Sequence, residues 1–232
     1  MKVRARFTKL GRVRWTSHRD VARMWERALR LCSAPVAYTA GFTPRPQLSF
    51  GLALPTGCES VAEYLDITFT EHADPETLGA ALGAALPEGV DVTAAGIVEP
   101  GARSLQEDVT VCSWEIAVPA ATATQTTEAI DRALSAEHLE VTRERKGRMV
   151  TDDLRPSVRA LWCHDSAEDG VRLFAELGTQ PRGVRPAELA RAMGIDLGPA
   201  RRTCQWIERD GSRWEPLAAQ IAGATALAAG AS

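Results

Sequence analysis

The sequence has no uninterrupted apolar run of 18 residues, so no segment is expected to cross a membrane as a helix. Its amino terminus, MKVRARFTKLG, alternates apolar and basic residues and has no apolar core of the signal-peptide kind. Cysteine is sparse. Cys32, Cys58, Cys112, Cys163 and Cys204 are scattered, odd in number, and form no C-x-x-C. They read as reduced core residues of a cytoplasmic protein. The four histidines, His18, His72, His138 and His164, are equally dispersed, so a zinc or iron–sulfur site finds no support in spacing. Acid is almost missing from the first 46 residues, which carry eleven Lys/Arg against two acids. Residues 47–140 reverse this, with two basic residues against sixteen acids. The basic end suits an anionic partner, and mutual neutralisation within the fold is the competing expectation.

The stretch Thr16–Phe50 organises the rest. Ser17 is a good N-cap and Asp20 follows three residues later, close to a capping box. Val21, Met24, Trp25, Ala28, Leu29 and Cys32 recur at helical spacing and predict a helix from Asp20 to about Cys32. Arg19, Arg23, Arg27 and Arg30 fall on one side of that helix. Arg, more than Lys, suits bidentate binding of phosphate or carboxylate, and a merely solvated face is the alternative. Gly41, Pro44 and Pro46 then punctuate a loop that cannot be regular helix.

Around this stretch the pattern predicts strands at Lys2–Leu10, Gln47–Leu52, Val61–Thr70 and Val90–Val98, and a helix from Pro75 to Leu86. The order β-α-β-β-α-β is the ferredoxin-like one. Pro100–Gln106 reads as a linker. The order then repeats less regularly, with strands at Asp108–Val118, Leu139–Arg145, Met149–Cys163, Val171–Leu177 and Arg202–Arg209, and helices at Thr122–Ser135 and Pro186–Met193. The expected fold class is α+β: tandem ferredoxin-like halves over 1–99 and 107–209, antiparallel sheets each with one free face, and an Ala-rich tail over 210–232.

Several short runs mark a resemblance. F-x-K-x-G stands at Phe7, Lys9 and Gly11, and S-H-x-D at Ser17, His18 and Asp20. R-A-L-R at Arg27–Arg30, P-V-A-Y at Pro35–Tyr38, and G-F-x-P-x-P at Gly41–Pro46 follow. L-P-x-G at Leu54–Gly57 and S-x-x-E-Y at Ser60–Tyr64 complete a pattern dense over residues 2–70. It resembles the radical SAM-linked protein family, a domain of unknown function found alone or fused behind a radical SAM protein. That family usually has His between the two prolines of the loop, where this chain has Arg45. Arg can replace a His that hydrogen-bonds an anion, but not a base or metal ligand. The resemblance implies a radical SAM protein as partner. The iron–sulfur cluster and SAM are expected there, since this chain has no C-x-x-x-C-x-x-C run.

Two anion-binding groups are expected. Ser17, His18, Arg14, Lys9 and Arg45 could converge at the helix N-terminus, a natural anion site, next to the row of Arg19, Arg23, Arg27 and Arg30. A second basic cluster comprises Lys146, Arg155, Arg182, Arg185 and Arg202. The expected function is a non-catalytic accessory protein that holds an anionic substrate, structured RNA first, for the radical SAM partner. No row of sheet aromatics of the RNP kind is evident; Tyr38, Phe42 and Phe50 are the aromatics expected near the basic helix. A hydrolase or nuclease with His18 as base and Glu59 or Glu63 assisting is one alternative, although those carboxylates suit salt bridges to the arginine row better. A purely structural docking partner is the other.

Overall fold

The computed structural model describes residues 1–145, 147–166 and 170–218. Lys146 and the Ala-rich tail from residue 219 lie outside the described residues. The fold is α+β, and its sheet is mostly antiparallel. Two compact units divide the chain. One comprises Met1–Val109 and the chain from Gln205, and the other Thr110–Cys204. The expected second half, 107–209, therefore ends early. Gln205 Nε2 donates to Ala62 O at 2.6 Å, a partner in the first unit that sequence spacing does not reveal.

In the first unit, β1 (Lys2–Lys9) leads through a 3-10 turn at Gly11–Trp15 to α1 (His18–Leu31). Then come β2 (Leu48–Phe50), β3 (Glu59–Thr68), α2 (Pro75–Ala85) and β4 (Val92–Ile97). β1 pairs with β4 on one edge and β3 on the other, and β2 pairs with β3. Alternation along β1 sends Val3, Ala5 and Phe7 toward the helices, where Phe7 meets Trp25 of α1 edge to face at 5.0 Å. Asp74 caps α2 by accepting from Thr77 N at 2.9 Å, with Pro75 in the first turn. At Gly89 a Cβ would stand 2.4 Å from Leu10 O, and φ is +88°, so the turn before β4 admits only glycine.

The opposite face of this sheet is not free. Arg4, expected on a wet basic face, is 2 % exposed. Its guanidinium grips Asp66 on β3 at 2.7 and 2.9 Å and donates to Pro216 O at 3.2 Å. Arg6 pairs with Glu215 at 3.4 Å, and Tyr64 Oη donates to the same carboxylate at 3.3 Å. Residues just past the last strand thus lie across β1 and β3, where the sequence predicted an idle tail. The predicted linker is also anchored: α3 (Leu105–Asp108) buries Leu105 against Gly51, and Asp108 pairs with Arg209.

The second unit runs β5 (Val111–Ala117), α4 (Ala123–Ser135), β6 (Glu140–Arg145), β7 (Arg148–Asp153), β8 (Val158–Ser166), β9 (Gly170–Gly178), α5 (Pro186–Met193) and the start of β10 (Ala200–Arg209). The end of β10 belongs to the first unit, where β11 (Ser212–Trp214) pairs with it. The strand predicted over Met149–Cys163 is two strands, because Arg155-Pro156 forms a 3-10 turn. β9 pairs with β5 and β8, while β6 and β7 pair with each other as a separate two-stranded sheet. Of the five cysteines only Cys112 and Cys204 are buried, and all five are free thiols.

Asp153 closes the turn after β7. It accepts from Leu139 N and Arg155 N at 2.8 and 2.9 Å and meets His138 Nδ1 at 2.9 Å. The His138 hydrogen bond, then the two backbone N–H groups, pull its carboxyl down to about 2. A carboxyl held below its unfolded value stabilises the fold above about pH 4, and this contribution is lost as the pH falls from there toward 2. Asp153→Asn is therefore expected to flatten the fall in melting temperature between pH 4 and 2. An unchanged slope in thermal denaturation would show that Asp153 adds nothing.

Candidate functional site

The arginine row occupies the solvent side of α1. Successive residues turn by about 100°, which places Arg19, Arg23, Arg27 and Arg30 within an arc of about 80°. Val21, Trp25, Ala28 and Leu29 form the buried face across the helix. All four arginines are exposed. Arg23 pairs with Asp20 at 3.3 Å, with both side chains largely in water. Among the described residues, Arg19, Arg27 and Arg30 have no hydrogen bond or ion pair. Neither Glu59 nor Glu63 reaches the row.

The helix N-terminus is capped by Ser17, which is tied in turn to Asp20. Ser17 Oγ accepts from Asp20 N at 3.2 Å and donates to Asp20 Oδ2 at 2.7 Å. The Ser17 hydroxyl, then the Ser17 backbone and Arg23, hold the Asp20 carboxyl below its usual range. The expected convergence on a phosphate at this point is thereby corrected. Lys9 is corrected with it: the side chain is 3 % exposed, and Nζ donates to Thr16 O at 2.9 Å and Arg14 O at 3.4 Å, bracing the 3-10 turn. Arg14 pairs with Glu59 at 3.6 Å, and Glu59 also accepts from Gly11 N at 2.9 Å. Arg45 lies elsewhere. Lys9 pairs with Ser60, at one end of β3, whereas Gln47 bonds to Thr68 at the other. Eight residues of strand separate these ends by about 26 Å.

His18 is exposed and its ring meets Phe50 edge to face at 5.0 Å. It lines a cavity of about 20 Å³ with Lys9, Phe50, Glu63 and Tyr64. That volume holds about one water. The fold thus brings His18 and Glu63 together and leaves Glu59 in the Arg14 pair.

Arg155, Arg182 and Arg202 of the second basic cluster are spent on structure. Arg155 donates to Leu134 O at 2.9 Å and Val158 O at 3.3 Å. Arg182 pairs with Glu188 at 2.8 Å and Asp152 at 3.0 Å, and Arg143 pairs with the same two carboxylates, tying β6, β7 and α5 together. Arg202 is 2 % exposed, with its guanidinium over the Trp114 ring at 5.5 Å. Of the described members, Arg185 alone is open at the surface, at the start of α5.

Aromatic exposure departs from expectation. Phe42 is fully exposed, and Tyr38 and Trp15 are about half and two-thirds exposed, at 49 % and 64 %. On one face of the second unit Trp162 stacks on Phe174 at 5.4 Å. Strand register created that pair, and no local spacing announces it. Phe42, by contrast, was legible: an aromatic between Gly41 and Pro44 belongs to no periodic face.

Comparison with known proteins gives a family. A sequence profile described as an uncharacterized protein conserved in bacteria (DUF2344) matches residues 2–186. No curated protein matches the chain. Among solved structures, a chain of the crystal structure of a Cbf5-Nop10-Gar1 complex is similar at 9 % identity and a TM-score of 0.45, over 88 % of this chain. The match spans 48 % of that chain, about half its length.

Proposed function

This chain belongs to that bacterial family, and we propose that it is a non-catalytic accessory protein that holds an anionic substrate, RNA first, for a radical SAM partner. One observation carries the reading: Arg19, Arg27 and Arg30 stand in water with no carboxylate partner among the described residues. Three unpaired guanidinium groups on one helix face present fixed positive charge to an anionic backbone. The partner supplies the iron–sulfur cluster and SAM, and this chain supplies retention of the substrate. We also read each unit as a ferredoxin-like half, with the β6–β7 hairpin inserted in the second. The strand order β4-β1-β3-β2 supports the first half. The order β5-β9-β8, with Ala117 N bonded to Pro199 O just before β10, supports the second.

Filter binding of single-stranded RNA across a salt series tests the proposal. Three to four phosphate contacts give log K a slope of about −2 to −3 against log salt. A salt-independent affinity, or no retention at low salt, removes the reading; a radical SAM protein captured without RNA would favour the docking role. The juxtaposition of His18 and Glu63 at one small cavity supports a hydrolytic second reading. Turnover by the isolated chain is the observation that would move His18 from bystander to base.

A further inference from the structure

We propose that the loop closed by Tyr38 and Pro46 is a stacking finger for an unpaired nucleotide base, with Phe42 as its platform and Arg45 beside it for the flanking phosphate. The inference rests on the RNA-binding reading above and names the form of nucleic acid: single strands, loops or ends.

The finger is held at its root. Tyr38 and Pro46 form an antiparallel bridge, Thr39 N donates to Arg45 O at 2.9 Å, and Arg45 N donates to Thr39 Oγ1 at 3.1 Å. Gln47 Nε2 donates to Tyr38 O at 3.1 Å, and Ala37 N bonds to Thr68 O, fastening the root to β3. Pro44 and Pro46 restrict the returning limb. A tip this well tied has no need of an aromatic for its own stability, yet it carries Phe42 wholly in water.

The surrounding charge chooses the occupant. Between Glu26 and Glu59 the chain has no acid at all, while Arg27, Arg30 and Arg45 fall in that interval. The Arg45 side chain has no partner among the described residues. Tyr38, half exposed, adds a second ring at the root. Aromatic rings carried on the same finger as the Arg45 guanidinium match a base flanked by a phosphate, because every base offers a π-face and every nucleotide a negative charge. A base inside a duplex has both faces covered and gains nothing from the finger.

The test compares a labelled single-stranded RNA 12-mer with its duplex, by fluorescence anisotropy on the full chain. Phe42→Ala is expected to weaken single-strand binding by about 5- to 100-fold and duplex binding by less than about twofold. Phe42→Trp is expected to restore single-strand affinity. Since Phe42 is fully exposed, its melting temperature should match the parent's, which separates lost stacking from lost folding. Unchanged single-strand affinity in Phe42→Ala, alongside a loss on mutating the α1 arginines, overturns the finger and leaves the phosphate row standing. Equal losses on both RNA forms overturn it too, as does loss of a co-purifying protein with RNA affinity intact. No RNA retained by the parent chain removes finger and row together.

Discussion

Replacing Arg19, Arg27 and Arg30 together by Glu is expected to cut RNA affinity by about 100-fold or more at low salt and to flatten the salt dependence. Each guanidinium stands in water and serves no carboxylate, so its removal costs the fold little. Surface substitutions of this kind usually change stability by about 0.5 kcal/mol or less. Arg23 is left in place because it supports the Ser17–Asp20 cap through its 3.3 Å pair with Asp20. The triple variant should therefore melt with the parent while failing to retain RNA on a filter. Replacement by Ala should show a smaller loss in the same direction, since it removes attraction without adding repulsion. Retention by the Glu variant equal to the parent's would end the proposal that α1 holds phosphate, whatever else the chain binds.

The largest expected effect on stability lies on the other side of the sheet. Asp66→Ala leaves the Arg4 guanidinium buried with the Asp66 carboxylate gone. Breaking a buried pair by removing one partner typically costs about 3–5 kcal/mol, because desolvation of the remaining charge is no longer offset. For a chain of this size the melting temperature should fall by about 10 °C. The double variant Arg4→Met/Asp66→Leu should recover most of that loss, since apolar side chains of similar volume need no partner. A single variant that melts within a degree or two of the parent would mean that water reaches Arg4, contrary to its burial. The same experiment probes the residues after β11, because Arg4 and Arg6 are where Glu215 and Pro216 attach.

The Asp20 and Lys9 results show where reading by motif goes astray. Ser17 and Asp20 were legible as a helix start, and α1 begins there. The same spacing also suggested an anion site, and the two uses compete for one set of donors. The Ser17 hydroxyl takes the Asp20 N–H and is itself tied to the Asp20 carboxylate, so these groups serve the cap. Lys9 stood in a recognisable run on a basic strand, but its ammonium turns inward to two carbonyls of the adjoining turn. Nothing in the alternation of β1 distinguishes a lysine facing water from one facing those carbonyls.

From its own order of residues the chain dictates the four longer helices, nearly all the strands, and the helix face on which the α1 arginines sit. Each of these follows from contacts a few residues apart, and periodicity records them directly. Which charges remain available was decided only by the tertiary structure. Arg4 finds Asp66 and Pro216, Arg182 finds Asp152, and Arg202 finds Trp114, across 62, 212, 30 and 88 positions of sequence. A charge is silenced by whatever distant group the fold brings against it, and local spacing carries no record of that group. Arg19, Arg27, Arg30 and Arg45 stayed open because the fold brings no carboxylate from the described residues within reach of them.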